Sequence, residues 1–119
     1  MSVTRGVLIV DDQAPFRSIA RTVVGLSDGF AVVGEAATGE EAVELAPGAD
    51  VVLMDINLPG IDGIEATRRI VAASPRIAVL LLSTYDRASL PADASTCGAV
   101  GYVHKADFGP DVLVRLRSD

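Results

Sequence analysis

The sequence predicts an α/β protein built on a doubly wound, five-stranded parallel sheet. Four aliphatic runs of strand length lie at residues 7–10, 31–33, 51–54 and 77–82, and a weaker fifth lies at 100–103. The runs are nearly continuous instead of alternating, which is the pattern of strands covered on both faces. Segments with helical spacing separate them, and parallel neighbours require crossovers of that kind, right-handed in hand.

Each element has local grounds. Residues 14–26 place Phe16, Ile19, Ala20, Val23 and Val24 on one stripe, leave Arg17 and Arg21 off it, and put Pro15 in a first helical turn. Thr38-Gly-Glu-Glu41 has the form of a capping box, and Pro47-Gly48 stops the second helix after about two turns. Asp62-Gly63 opens a third helix that turns Ile64, Ile70 and Val71 inward, and Ser74-Pro75 closes it. Residues 88–97 are the poorest helix, because Pro91 lies inside them and Ala, Ser and Thr dominate; a short or irregular fourth helix is expected. Gly109-Pro110 fits an N-cap followed by N1, and Val112, Leu113 and Leu116 give a last helix of about two turns its apolar face.

At 119 residues the chain is one domain, and half of its residues are hydrophobic. A chain of this size buries roughly two-thirds of its unfolded surface without disulfides or metals, so disorder is excluded as its main state. No apolar run is long enough for a membrane span, and no secretory signal opens the sequence, so a cytoplasmic protein is expected. Cys97 stands alone, which rules out an internal disulfide and a cysteine zinc cluster and leaves a small buried hydrophobe. The net charge is −6, and the excess is uneven. Residues 1–60 carry nine acidic and three basic side chains, whereas residues 61–119 carry seven of each. With no Lys/Arg cluster to neutralise phosphates, direct nucleic-acid binding by this chain is not expected. Lys105 is the only lysine.

In an open parallel sheet the ligand site lies beyond the carboxyl ends of the strands. The first run leads into Asp11-Asp12, the third into Asp55, the fourth into Ser83-Thr84 and the fifth into His104-Lys105. Three carboxylates converging on one edge repel one another and call for a cation. An oxygen-only donor set suits Mg²⁺, which leaves positions for a phosphate oxygen. An ammonium on the same edge can pair with a carboxylate or a phosphoryl group, and a strand-end hydroxyl can do likewise.

Four segments in order carry a family resemblance: Val-Leu-Ile-Val-Asp-Asp (7–12), Val-Val-Leu-Met-Asp-Ile-Asn-Leu-Pro-Gly-Ile-Asp-Gly (51–63), Leu-Leu-Leu-Ser-Thr (80–84) and Gly-Ala-Val-Gly-Tyr-Val-His-Lys (98–105). Over essentially its whole length, 1–119, the chain resembles the receiver domain of two-component response regulators. Residues 55–70 look most like the NarL/FixJ subgroup, whose members usually continue into a helix-turn-helix output domain not contained in this chain. The resemblance implies the flavodoxin-like (βα)5 receiver fold with strand order 2-1-3-4-5. It implies Asp55 as phosphoacceptor for a sensor histidine kinase, with its carboxylate as the nucleophile. Asp12 and Asp55 match the side-chain Mg²⁺ ligands, Asn57 would add its backbone carbonyl, and Asp11 would act through a bound water. Lys105 matches the lysine that pairs with the phosphoryl group, Ser83 the switch hydroxyl and Tyr102 the switch aromatic. A homodimer forming on phosphorylation is a further expectation. Pro59-Gly60 and Asp62-Gly63 are read as turn chemistry beside the acceptor, and His104 is assigned no chemistry.

Three other readings compete. A phosphohydrolase of the haloacid dehalogenase type wants Asp-x-Asp, and Asp55-Ile-Asn57 lacks the second acid. A flavodoxin-like cofactor binder wants a phosphate-cradling Ser/Thr/Gly loop after the first strand, where Asp11-Asp12 stands instead. A receiver-like interaction module indifferent to phosphate has no need of the complete Asp12, Asp55, Ser83 and Lys105 set. The resemblance has departures too: Ala106 follows Lys105 where many relatives have proline, the second helix is short, and Pro91 interrupts the fourth.

Overall fold

The computed structural model describes residues 3–118. Five strands form one parallel sheet: β1 (Arg5–Val10), β2 (Phe30–Ala36), β3 (Val51–Asp55), β4 (Ala78–Ser83) and β5 (Gly101–His104). Their spatial order is β2-β1-β3-β4-β5, as the resemblance implies. Strand alternation splits the core in two. Leu8, Val10, Val52, Met54, Val79 and Leu81 face α2 (Gly39–Leu45) and α3 (Gly63–Ala73), while Val7, Ile9, Leu53, Leu80 and Leu82 face α1 (Ala14–Gly25) and α4 (Pro110–Ser118). Every residue of β3 is buried, which accounts for its unbroken aliphatic run.

The helix starts follow the sequence. The Thr38 hydroxyl accepts the Glu41 N–H at 3.1 Å, and the Glu41 carboxylate accepts the N–H of Ala37, one residue ahead of the reciprocal partner in a standard box. The Asp62 carboxylate caps α3 by accepting the Glu65 N–H at 2.8 Å.

One expectation, the short or irregular fourth helix, takes a definite form, and two others need correction. The fourth crossover holds no α-helix: it consists of two 3₁₀ turns, Arg87–Ser89 and Ala92–Ser95, with Pro91 in extended conformation before the second. Pro91 has no N–H to donate and disfavours helical geometry at Leu90, so the helix breaks there. Ile19 is off the buried stripe of α1; it is 55% exposed, whereas Ala20 and Val24 have no exposed surface. Finally, β2 and β5 lie at the sheet edges and are only half covered, with Val33 facing outward. Gly34 and Glu35 interrupt the apolar run of β2, yet they pair with Leu8 and Ile9 of β1, so the strand is longer than that run.

Candidate functional site

The register of the sheet brings the ionisable strand ends together. Val10 pairs with Met54, Asp55 with Leu82, and Ser83 with His104, so Asp11, Asp55, Ser83 and Lys105 lie on one edge. Oxygens of Asp11, Asp12 and Asp55 lie within 4.8 Å of one another. Asp11 and Asp55 are buried, and Asp12 is exposed, leaving a route from solvent to the pair. A close set of carboxylate oxygens open on one side fits a hard cation that keeps some of its waters.

Lys105 supplies the positive charge present in the chain itself. Its Nζ donates to Asp11 Oδ2 at 2.6 Å and lies 3.6 Å from Asp55 Oδ2. The other Asp11 oxygen accepts the Gln13 N–H at 2.8 Å. Burial pushes the Asp55 carboxyl up from 3.8 to about 6, and the neighbouring Asp11 and Asp12 charges add to this; Lys105 and the Asn57 backbone N–H oppose it. Asp55 is thus a carboxylate of raised basicity, held beside one cation and short of positive charge.

The walls are built from turn residues. Gly63 packs directly on the Asp55 backbone: a Cβ added there would stand 2.0 Å from the Asp55 carbonyl oxygen. Its N–H donates to the Ile56 carbonyl at 2.8 Å, and the Thr67 hydroxyl donates to the Gly63 carbonyl at 2.7 Å. What Gly63 supplies is therefore closeness, not a turn conformation; Gly60, with φ +75°, supplies the turn. Ser83 Oγ is buried and accepts the Tyr85 N–H at 3.2 Å. The Tyr102 hydroxyl donates to the Ser83 carbonyl at 3.1 Å and also meets the Tyr85 carbonyl, so it is tied to the loop after β4. His104 accepts the Ala106 N–H through Nδ1 and caps the turn that follows β5.

Three residues reach this edge that sequence reasoning did not single out for it. Phe16 places its ring centroid 4.6 Å from Lys105 Nζ. Tyr85 donates its hydroxyl to the Asn57 side-chain carbonyl at 3.2 Å, bridging the loops after β4 and β3. Arg17 donates to the Asp11 backbone carbonyl at 2.7 Å and pairs with Glu35 of β2 at 3.2 Å. The Phe16 and Tyr85 contacts join elements far apart in sequence, whereas Arg17 reaches back only six residues to Asp11, and the position of Phe16 and Arg17 soon after Asp11-Asp12 is the one hint the sequence offers.

A doubly wound sheet with an acidic, lysine-bearing cleft at its carboxyl edge defines a class of α/β site suited to anionic oxygen chemistry. The chain belongs to the response regulator receiver domain family, whose sequence profile matches residues 7–116. It is 39% identical over 114 residues to the response regulator UvrY of Escherichia coli K12, covering 94% of this chain and 52% of that protein. It is 37% identical over 110 residues to the transcriptional regulatory protein DegU of Brevibacillus brevis, covering 91% and 46%. The receiver domain of NarL from Mycobacterium tuberculosis superposes with a TM-score of 0.83 at 32% identity, covering 98% of this chain and 95% of that one. These likenesses place the chain with the NarL/FixJ subgroup. The chain spans about half the length of the curated relatives it matches. As a receiver domain it is a component of two-component signalling, a switch rather than a conventional enzyme. No helix among the described residues is long and apolar enough to cross a membrane.

Proposed function

We propose that the chain is a phosphorylation-controlled switch in which Asp55 accepts a phosphoryl group from the phosphohistidine of a sensor histidine kinase. The observation that carries this is the buried Asp55 carboxylate of raised basicity, set between two acids and the chain's only lysine. An Asp55 oxygen attacks phosphorus, a P–O bond forms, and the P–N bond breaks with its electron pair returning to the donor imidazole. Asp12 and Asp55 would hold Mg²⁺ with the Asn57 backbone carbonyl, and Asp11 would hold one of its waters. When bound, Mg²⁺ neutralises charge on the equatorial phosphoryl oxygens and on the carboxylates. Lys105, now on Asp11, turns to the phosphoryl group, and Ser83 donates its hydroxyl to a second oxygen. As the Ser83 side chain turns toward the phosphoryl group, its Oγ is drawn away from the Tyr85 N–H that it accepts at 3.2 Å, and the loop that Tyr102 grips can move. Slow hydrolysis by water resets the switch.

In the same reading the whole protein acts in the cytoplasm and regulates transcription through a helix-turn-helix output domain outside this chain. Two facts support it: the curated relatives are about twice as long as the span matched, and DegU is a transcriptional regulatory protein.

The test is intact mass after incubation with acetyl phosphate, with and without Mg²⁺, beside Asp55→Asn. One Mg²⁺-dependent phosphoryl group, absent from the variant, is the expected result. A folded, Mg²⁺-binding protein that gains none would instead be a phosphate-independent receiver-like module.

A further inference from the structure

Lys105 has a third neighbour besides the two acids. Its ammonium lies over the Phe16 ring, 4.6 Å from the centroid. Phe16 stands in the first turn of α1, four residues after Asp12, and its ring leans at 48° on that of Phe108, with centroids 6.3 Å apart. Phe108 follows the turn Lys105–Asp107. The ring that meets the lysine is thus backed by a second ring from the other end of the chain. The Lys105 side chain is only 16% exposed, so these contacts act where water screens them little.

The chemistry of the site explains why a ring belongs there. The single cation must stay beside Asp11 at 2.6 Å before phosphorylation and turn toward Asp55, 3.6 Å away, afterwards. A further carboxylate beside the lysine would trap the ammonium and add charge to an edge that already holds three. An aliphatic side chain would exclude water but offer the cation nothing. An aromatic face attracts the ammonium without a net charge and without claiming one of its N–H bonds, so all three donors remain for oxygens.

We propose that Phe16 is a positioning residue for Lys105: its ring, backed by Phe108, holds the ammonium at the acidic edge while leaving it able to pass from Asp11 to a phosphoryl group on Asp55. The inference rests on the reading of Lys105 as the phosphoryl partner, and the experiment separates the two.

Because the chain has one lysine, growth on lysine carrying ¹³C at the ε carbon gives a single side-chain resonance. Lying over a ring face, its ε protons should appear upfield of free lysine in the wild-type protein. In Phe16→Leu the resonance should move to the free-lysine position, and phosphoryl uptake from acetyl phosphate at saturating Mg²⁺ should slow about fivefold, the scale of one partly shielded cation–π contact. Phe16→Tyr should restore both. A wild-type resonance already at the free-lysine position would overturn the proposal without any variant. So would a Phe16→Leu protein with an unmoved resonance or an unchanged rate, or equal slowing in Phe16→Leu and Phe16→Tyr, which would mean that the ring only fills space. Uptake and switching at wild-type level in Lys105→Met would remove the phosphoryl role of Lys105 itself. Impaired Lys105→Met beside unaffected Phe16→Leu would sink only the role of the ring.

Discussion

Replacing Asp55 by Asn removes the titrating group whose burial works most plainly against its charge. The carboxyl stands at about 6 in the folded protein against an ordinary 3.8. A difference of that size corresponds to on the order of 3 kcal/mol at about 1.4 kcal/mol per tenfold change in proton affinity. The folded state holds the proton more tightly than the unfolded chain between those two values, so unfolding releases it. Stability therefore falls as pH rises through the window, and the full penalty is present above about 6. Asn keeps the shape and carries no charge, while Lys105 retains its 2.6 Å partner in Asp11. Urea denaturation of both proteins without divalent cation, in steps from about pH 4 to pH 8, isolates the effect as a difference between two curves. The variant should be more stable by about 2–3 kcal/mol at the alkaline end, with the gap narrowing toward acid. Added Mg²⁺ should raise the wild type toward the variant. A gap that does not change with pH, or a variant less stable at the alkaline end, would refute the reasoning.

Gly63→Ala should cost about 2–3 kcal/mol in urea midpoint stability, since the new Cβ would meet the Asp55 carbonyl oxygen at 2.0 Å and backbone must shift to admit it. The same variant should slow phosphoryl uptake, and wild-type stability would show that the α3 start has slack there. Thr38→Ala deletes the cap of α2 and should lose about 1 kcal/mol by the same assay. Tyr102→Phe removes the hydroxyl that meets the Ser83 and Tyr85 carbonyls, and amide hydrogen exchange should quicken at residues 84–86 while β1 and β3 stay protected.

Much of this protein is legible in its sequence because its inner strands are buried on both faces. Residues 51–55 read as a strand without ambiguity, and the acids that end the runs fall on one edge once a parallel sheet is granted. The edge strands read less well: Gly34 and Glu35 look like a break, although backbone pairing with Leu8 and Ile9 continues through them. Ile19 fits a helical stripe by spacing, but the width of the stripe that is covered depends on how α1 lies on the sheet. Gly63 looks like turn chemistry, and only the packed structure shows that its missing Cβ is what lets α3 start against the Asp55 backbone. Phe16 reads as plain core, and Arg17 as a solvated residue off the stripe. Their contacts with Lys105 and with the Asp11 carbonyl exist only once β1, β5 and α1 meet.

The crossover between β4 and β5 has a mechanical consequence. An α-helix there would behave as one rod, because each residue shares its hydrogen bonds with the turns on either side. Two separate 3₁₀ turns carry their backbone bonds separately, Ser89 N–H to the Asp86 carbonyl in one, and Ala94 N–H to Pro91 with Thr96 N–H to Asp93 in the other. The second is also moored to α3 by Arg68, which pairs with Asp93 at 2.9 Å. In the proposed switch, a displacement beginning at Ser83 would therefore reach Tyr85 and the first turn and be damped at the second. On that reading the surface change would be a few residues wide, and a partner that reads it would have to touch the chain immediately beyond β4.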